Sequence, residues 1–271
     1  MVGKKIAHLL NKLLNHPILV IIIKPLSSLL FHIGRYVMLL GGVFKRPEKL
    51  KLYYEQTMIE AVSMVVGSMF IVVIISTFIG AVTTLQTAYQ LTTPLIADSV
   101  IGSVVSASTL LELSPTVLSF ILAGRIGSNI ASQIGTMRVT EQIDALEVMG
   151  INSKGFLLIP RLVSGLFSFP ILITISAFLS TMGGLLAGDI SGEVTATEYL
   201  QGMEEYYDPL YISIMYIKAI IFGILIVSIS AYQGYYVRGG ALEVGKAATK
   251  AVVYSCLTMV VADYFVAQLL L

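Results

Sequence analysis

The chain has 271 residues, of which 56% are hydrophobic and 12% charged, with a mean hydropathy of +0.87 and a formal net charge of +1. A soluble domain carries about a quarter charged residues, so these values exclude one and identify an integral membrane protein. The near-neutral balance, with no basic stripe interleaved with aromatics, gives no nucleic-acid surface, and the single cysteine, Cys256, gives no intrachain disulfide.

Residues 1–52 form a basic arm holding nine of the seventeen Lys and Arg, from Lys4 to Lys51. The apolar pieces between these charges, such as Ile18–Ile23 bounded by Pro17 and Lys24-Pro25, fall short of the roughly 20 residues that cross a bilayer. They predict short interfacial helices lying on the cytoplasmic leaflet. Asn15, His16 and Pro17 interrupt the first apolar run, so no cleavable signal is expected.

Residues 53–271 form the membrane domain, with five predicted spans at about 61–85, 99–124, 162–188, 209–237 and 251–271. Leu85–Ala97, uncharged but rich in Gln, Thr and Pro94, reads as a loop between the first two. The fold class is therefore all-α integral membrane: N-terminal interfacial helices, then five transmembrane helices. Apart from Lys218, every Lys and Arg lies in the arm, around the Arg125–Arg161 connection, or in the Arg238–Lys250 connection. The positive-inside rule places those three regions in the cytosol. The connection Asp189–Asp208, with six acids and no base, then lies outside, and five spans put the N-terminus in the cytosol and the C-terminus in the periplasm.

Gly124–Gly150 joins the second span to a charged helical segment. Its first half carries two small-residue stripes at four-residue spacing, Gly124/Ser128/Ser132 and Gly127/Ala131/Gly135, which predict close helix packing. In its second half Val139, Ile143 and Leu146 recur at helical spacing, with Glu141, Asp144 and Glu147 on a roughly opposite side. Thr140 is the expected N-cap and Gly150 the C-terminal stop. The segment Thr140–Met149 thus predicts a short cytosolic helix between spans two and three, its apolar ridge and acidic flanks offered to a soluble partner.

Gly240–Ala247 approaches a phosphate-binding loop, but Ala247 lacks the hydroxyl that holds Mg²⁺ and no strand is expected before it. Lys246 and Lys250 are instead expected near lipid headgroups. His8, His16 and His32 all lie in the arm without ligand-spaced partners, and no serine has a histidine partner, so neither a metal site nor a catalytic residue is expected.

Three ionisable residues fall inside predicted spans: Glu112, Lys218 and Asp263. Such groups cost several kcal/mol unless paired or facing water. At about 1.5 Å per residue, Lys218 and Asp263 lie about 12–14 Å from the outer ends of their spans and Glu112 about 20 Å. A Lys218–Asp263 pair with Glu112 nearby follows, serving either as a structural tie among three helices or as part of a substrate cavity or conformational coupling.

The run GSNIASQIGTMRVTEQIDALEVMGINSKGFLLIPR, and the closing segment GGALEVGKAATKAVV with VADYF, resemble the MlaE/YrbE family of ABC-transporter permeases from about Val43 to Leu271. One departure is Ser153, where many members have proline. The resemblance implies a homodimeric permease in the bacterial inner membrane that moves phospholipids between inner and outer membranes. It further implies a separate cytosolic ATPase that binds ATP and Mg²⁺, a periplasmic Mce-domain lipid-binding protein, and no cofactor or active site on this chain. Carried over, Glu141, Gln142, Ile143, Asp144, Ala145 and Leu146, with Arg138 beside them, would form the coupling helix seated in the ATPase. Two other readings of the residues are an ion-gradient-driven carrier using Glu112 and Asp263, and a non-transporting scaffold. The lack of inverted repeats speaks against the carrier.

Overall fold

The computed structural model describes residues 17–43, 50–91, 97–205 and 207–270, with side chains in the first of these segments placed at Ser27 and from Leu30 onward. Among the described residues every element is helical: α1 (Pro17–Val43), α2 (Leu50–Gln90), α3 (Ser99–Val139), α4 (Gln142–Val148), α5 (Ser153–Ser191), α6 (Ala196–Glu205), α7 (Pro209–Tyr235) and α8 (Ala241–Leu270). Five of them, α2, α3, α5, α7 and α8, are long and apolar enough to cross a membrane.

Each expected span falls on one of these five helices; α2, α3, α5 and α8 overshoot it, whereas α7 ends at Tyr235, two residues short of the expected end at Val237. Helix α2 has 41 residues, about 60 Å at 1.5 Å per residue, roughly twice the hydrocarbon thickness. Hydropathy marks where the chain is greasy, whereas the backbone ladder continues into the polar ends. So α3 runs unbroken past Gly124 to Val139, α2 continues to Gln90 through what reads as a loop, and α8 starts ten residues before its apolar run. The arm is also corrected: α1 is one 27-residue helix through Lys24 and Pro25, not several short pieces. A proline removes one backbone donor and bends a helix, and flanking turns keep it intact. Residues 1–16 and 44–49 of the arm lie outside the described residues, as do residues 92–96 of the expected loop and Leu271 of the fifth span, while Leu50–Leu52 open α2.

The most extensive helix pair is α2 with α5. Small residues recur along both faces: Ser76, Gly80 and Thr84 on α2 meet Ser176, Ser180, Gly183 and Gly184 on α5. The approach is so close that a Cβ on Gly80 would sit 1.8 Å from the Ser180 carbonyl oxygen, and one on Gly183 would sit 2.2 Å from that of Thr77. Ser76 Oγ donates to Ser176 Oγ at 2.7 Å and Ser180 Oγ to the Ser76 carbonyl at 2.9 Å. Apolar burial gives no net drive inside lipid, so this backbone proximity and these bonds hold the pair.

Of the two stripes on α3, one packs within the chain. Gly127 lies against Ile226 and Ser230 of α7, Ala131 against Ala248 and Ala251 of α8, and Gly135 against Val237 and Val244. In the other stripe Gly124 has open space where a Cβ would go, and Ser128 and Ser132 stay half-buried. Outside the bundle proper, α6 lies across the start of α3, where Gly102 faces the Tyr199 carbonyl and Gly202 that of Ser99.

Candidate functional site

Two places on this scaffold concentrate chemistry: a polar cluster among three long helices and the short helix α4. In the middle of α3, Thr109–Val117 is wound as a π-helix containing Pro115. Proline has no N–H, so the backbone ladder of this segment lacks one donor. Lys218 of α7 is fully buried, and its Nζ donates to the Leu111 carbonyl at 2.9 Å. The same ammonium lies 2.8 Å from Glu112 Oε1 and 2.7 Å from Asp263 Oδ1 of α8. The expected pair is thus formed, with Glu112 drawn in as a full partner.

Glu112 lies farther along its helix than Lys218 does along α7, and the two still meet, with the first turns of α3 packed against α6. One cation faces two carboxylates, so the cluster carries a net negative charge if all three are ionised. Asp263 is mostly buried, with 18% of its side chain exposed, whereas Glu112 keeps 48%. Thr116 Oγ1 donates to the second Glu112 oxygen at 3.1 Å.

A second buried polar cluster escaped the sequence reading. Arg161 of α5, 7% exposed, pairs with Glu60 of α2 at 3.0 Å and donates to Gln133 of α3 at 3.1 Å and to the Leu157 carbonyl at 3.1 Å. Arg125 donates to Ser68 at 3.1 Å and lies flat over Gly67, where a Cβ would come within 2.6 Å of its guanidinium. Both arginines read in sequence as markers of a cytosolic connection. The missed signal is an arginine set in an apolar stretch opposite a glutamate that immediately precedes another such stretch.

Helix α4 differs from expectation at its start. Thr140 is the last residue of the preceding turn, its hydroxyl donating back to the Thr136 carbonyl at 2.8 Å, and not an N-cap. Glu141 is the cap residue, held at φ 60° in the left-handed region, and it makes no side-chain capping bond. A non-glycine residue there stores about 1–2 kcal/mol of strain. The chain thereby reverses sharply out of α3. The far end is as expected: Gly150 at φ 80° takes the left-handed position, with bonds from Gly150 N to the Glu147 carbonyl at 3.0 Å and from Ile151 N to the Leu146 carbonyl at 3.0 Å.

The apolar ridge is corrected as well, since it points inward. Ile143 is fully buried, and Leu146 and Val139 are half-buried. These side chains seat the helix on the body of the protein, because burial there removes them from water. Arg138 and Asp144 close the ion pair at 2.6 Å. Glu147 accepts from Ser153 Oγ at 2.7 Å and from Tyr235 Oη at 3.1 Å. Ser153, the departure from the family pattern, thus joins α4 to the starts and ends of two long helices. What faces outward is Glu141, Gln142 and Ala145 with the apolar tip Val148 and Met149, the last two 88% and 66% exposed. The loop also grips α1, for Asn152 Nδ2 donates to the Gly42 carbonyl at 3.0 Å.

At the near-match to a phosphate loop, Gly239 turns at φ 117°, Ala241 starts α8, and Lys246 pairs with Glu243 at 2.6 Å.

The sequence that builds these features matches a known family. The model described as "Permease MlaE" matches residues 57–269. A probable ABC transporter permease protein of Rickettsia bellii is 37% identical over 202 residues, covering 74% of this chain and 78% of that protein. A further probable ABC transporter permease protein, of Synechocystis, is 34% identical over 203 residues, covering 75% and 77%. The protein TRIGALACTOSYLDIACYLGLYCEROL 1, chloroplastic, of Arabidopsis thaliana is 30% identical over 224 residues, covering 83% of this chain and 64% of that protein. The family model covering most of the chain, together with these relatives, shows that this chain belongs to the MlaE family of ABC-transporter permeases.

Proposed function

We propose that this chain is the membrane-spanning subunit of a transporter that moves phospholipid between the inner and outer membranes of a bacterium, with energy supplied by a separate cytosolic ATPase. The observation that carries this reading is α4 itself: a seven-residue helix braced at Ile143, Asp144 and Glu147, with its outer face left free. A rigid projection transmits a push, whereas a loose loop absorbs it. Glu141, Gln142 and Ala145 with the Val148–Met149 tip form the grip for the ATPase, and Arg138, Ile143 and Leu146 hold that grip to the long helices. The chain then acts as a homodimer, two copies enclosing the passage, with an Mce-domain protein receiving lipid on the outer side.

A lipid cargo is supported by the apolar character of the bundle and by the galactolipid in the name of the Arabidopsis relative. The Glu112–Lys218–Asp263 cluster ties α3, α7 and α8 together and holds them in register during the transport cycle. A gradient-driven carrier would ignore ATP, and a scaffold would move nothing. ATP-dependent transfer of fluorescent phospholipid in proteoliposomes holding this chain and its ATPase is the expected result, and its absence overturns the proposal. Crosslinking from Glu141→Cys and Val148→Cys to the ATPase checks the grip separately.

A further inference from the structure

Helix α1 does not lie flush against the bundle. Between it, the last turns of α7 and the first turns of α8 runs a groove of about 780 Å³ that continues into a smaller pocket of about 180 Å³. The two share His32, Tyr232, Gln233 and Lys250, so they form one continuous depression with two chemically distinct ends. The deep end is lined by Ile33, Val37, Leu225 and Ile229. It extends along α8 from Lys250 to Thr258 and along α7 from Gln233 to Leu225, eight residues on each helix, or about 12 Å at the helical rise.

The shallow end is cationic. Arg35, Arg238, Lys246 and Lys250 surround it, against the single carboxylate of Glu243, which Lys246 already holds at 2.6 Å. Arg35 is fixed over the Tyr236 ring at 3.6 Å, while Arg238 and Lys250 make no ion pair among the described residues. Between the two ends lies an aromatic collar: Tyr232 packs edge-on against His32, Tyr36 and Tyr236, and its hydroxyl pairs with His32 Nδ1 at 2.8 Å. Aromatic rings and basic side chains gather in this way at the boundary between hydrocarbon and water.

We propose that this depression binds one acidic phospholipid, its phosphodiester among Arg238, Lys246 and Lys250 and an acyl chain in the groove between α1, α7 and α8. Charge complementarity selects the occupant. Four cations and one carboxylate leave three positive charges for the headgroup to meet, and a zwitterionic lipid would set its own ammonium against them. The apolar groove demands a lipid rather than a free anion, since phosphate alone would leave it open to lipid tails at random. The bound lipid pins α1 to the bundle within three turns of Gly42, where Asn152 in the loop after α4 holds that helix. The site is independent of the transported cargo, so its failure and that of the transport reading are distinguishable.

The test is a titration of the full chain in detergent, followed by native mass spectrometry, with dioleoyl phosphatidylglycerol and dioleoyl phosphatidylcholine as probes. The wild type is expected to retain phosphatidylglycerol in preference. Each base near an anionic headgroup contributes about fivefold, so the triple variant Arg238→Gln, Lys246→Gln, Lys250→Gln loses roughly a hundredfold in that affinity and nothing for phosphatidylcholine. Lys250→Gln alone, the mildest change, loses about fivefold and covers the case in which the triple variant misfolds. Ile229→Trp, which fills the groove, weakens retention of the lipid while leaving the bases in place. Equal retention of both lipids by the wild type, an unchanged preference in Lys250→Gln and the triple variant, or complete displacement of the lipid by millimolar inorganic phosphate overturns the proposal, the last by making the site one for free anions.

Discussion

Pro115 and Lys218 meet at one faulted turn of α3: the proline supplies no N–H to the π-helical ladder of Thr109–Val117, and the lysine, from another helix, donates to the Leu111 carbonyl in that turn at 2.9 Å. The ammonium is thereby aimed between Glu112 and Asp263, so a local fault in α3 becomes the socket for a buried charge. π-helical stretches of this kind recur at functional positions, because they turn a side chain or carbonyl out of the regular ladder.

Removing that ammonium leaves two carboxylates facing each other without a cation. Lys218→Met is expected to cost about 3–5 kcal/mol, the range for breaking a buried pair from one side. Asp263→Asn should cost more than Glu112→Gln, since the aspartate side chain is 18% exposed and the glutamate 48%. Lys218→Met combined with Asp263→Leu should recover much of the loss, because a fully apolar replacement leaves only the half-exposed Glu112 charged. Thermal unfolding in detergent ranks the four variants. If the double variant is stable yet fails to transport lipid, the cluster has a role in transport beyond tying helices.

The crossing of α2 and α5 gives a prediction with an internal control. Gly80→Ala drives a methyl into the Ser180 carbonyl, 1.8 Å from the ideal Cβ position, so the helices must separate. The expected loss is at least 1–3 kcal/mol, the usual cost of overpacking. Gly124→Ala, on α3 with nothing within 4 Å, should be neutral or stabilising by about 0.5–1 kcal/mol. Equal unfolding temperatures for the two would show that the close approach does not hold the pair.

The five spans and the salt-bridged cluster were legible in the sequence because each follows from one strong energy term: burying apolar length in lipid, and the cost of an unpaired charge there. The inner stripe Gly127/Ala131/Gly135 was legible for a similar reason, since small residues at four-residue spacing mark a close approach. Its companion has the same pattern, yet a Cβ on Gly124 would meet nothing within 4 Å among the described residues, so spacing alone does not say which face meets a neighbour. The α2–α5 zipper, spread over Ser76, Gly80, Ser176 and Ser180, was missed because serines in an apolar run read as incidental. The start of α4 was missed because capping rules favour Thr140, whereas the reversal out of α3 is set by tertiary packing of Ile143, which forces Glu141 into the left-handed region.

That strained residue is open to test. Glu141→Gly relieves about 1 kcal/mol of backbone cost while keeping the turn, so it should preserve helix α4 and stabilise the loop modestly. Gly150→Val does the opposite at φ 80°, where a β-branched side chain is disfavoured, and should lower the ordered fraction of the loop by a factor of roughly 5–30. Hydrogen exchange across Gln142–Ile151 reads the ordering directly. In the assembled transporter, Gly150→Val should leave ATP hydrolysis running with lipid movement reduced, whereas Glu141→Gly separates the geometry of the turn from the contact made by the carboxylate.

On the opposite end of the bundle, α6 is fixed by a reciprocal cap. Thr195 N and Thr195 Oγ1 donate to Glu198 Oε2 at 3.1 and 2.6 Å, and Glu198 N donates back to Thr195 Oγ1 at 3.3 Å. Thr195→Ala should weaken the helix by about 1 kcal/mol. The bonds from Thr195 hold the Glu198 carboxyl below its ordinary value. A depressed carboxyl stabilises the fold above its unfolded value, about 4.3, and that contribution is lost as pH falls through the lower folded value. At the other extreme, burial pushes the neighbouring Tyr199 phenol up to about 12. The folded state then favours the neutral phenol, a contribution present below the ordinary value of about 10 and lost between there and about 12. Hydrogen exchange over Ala196–Glu205 should therefore be slowest between these limits and quicken, relative to its intrinsic pH dependence, on both sides. In Thr195→Ala the acid limb should vanish while the alkaline limb, set by Tyr199, remains, and Tyr199→Phe should show the reverse.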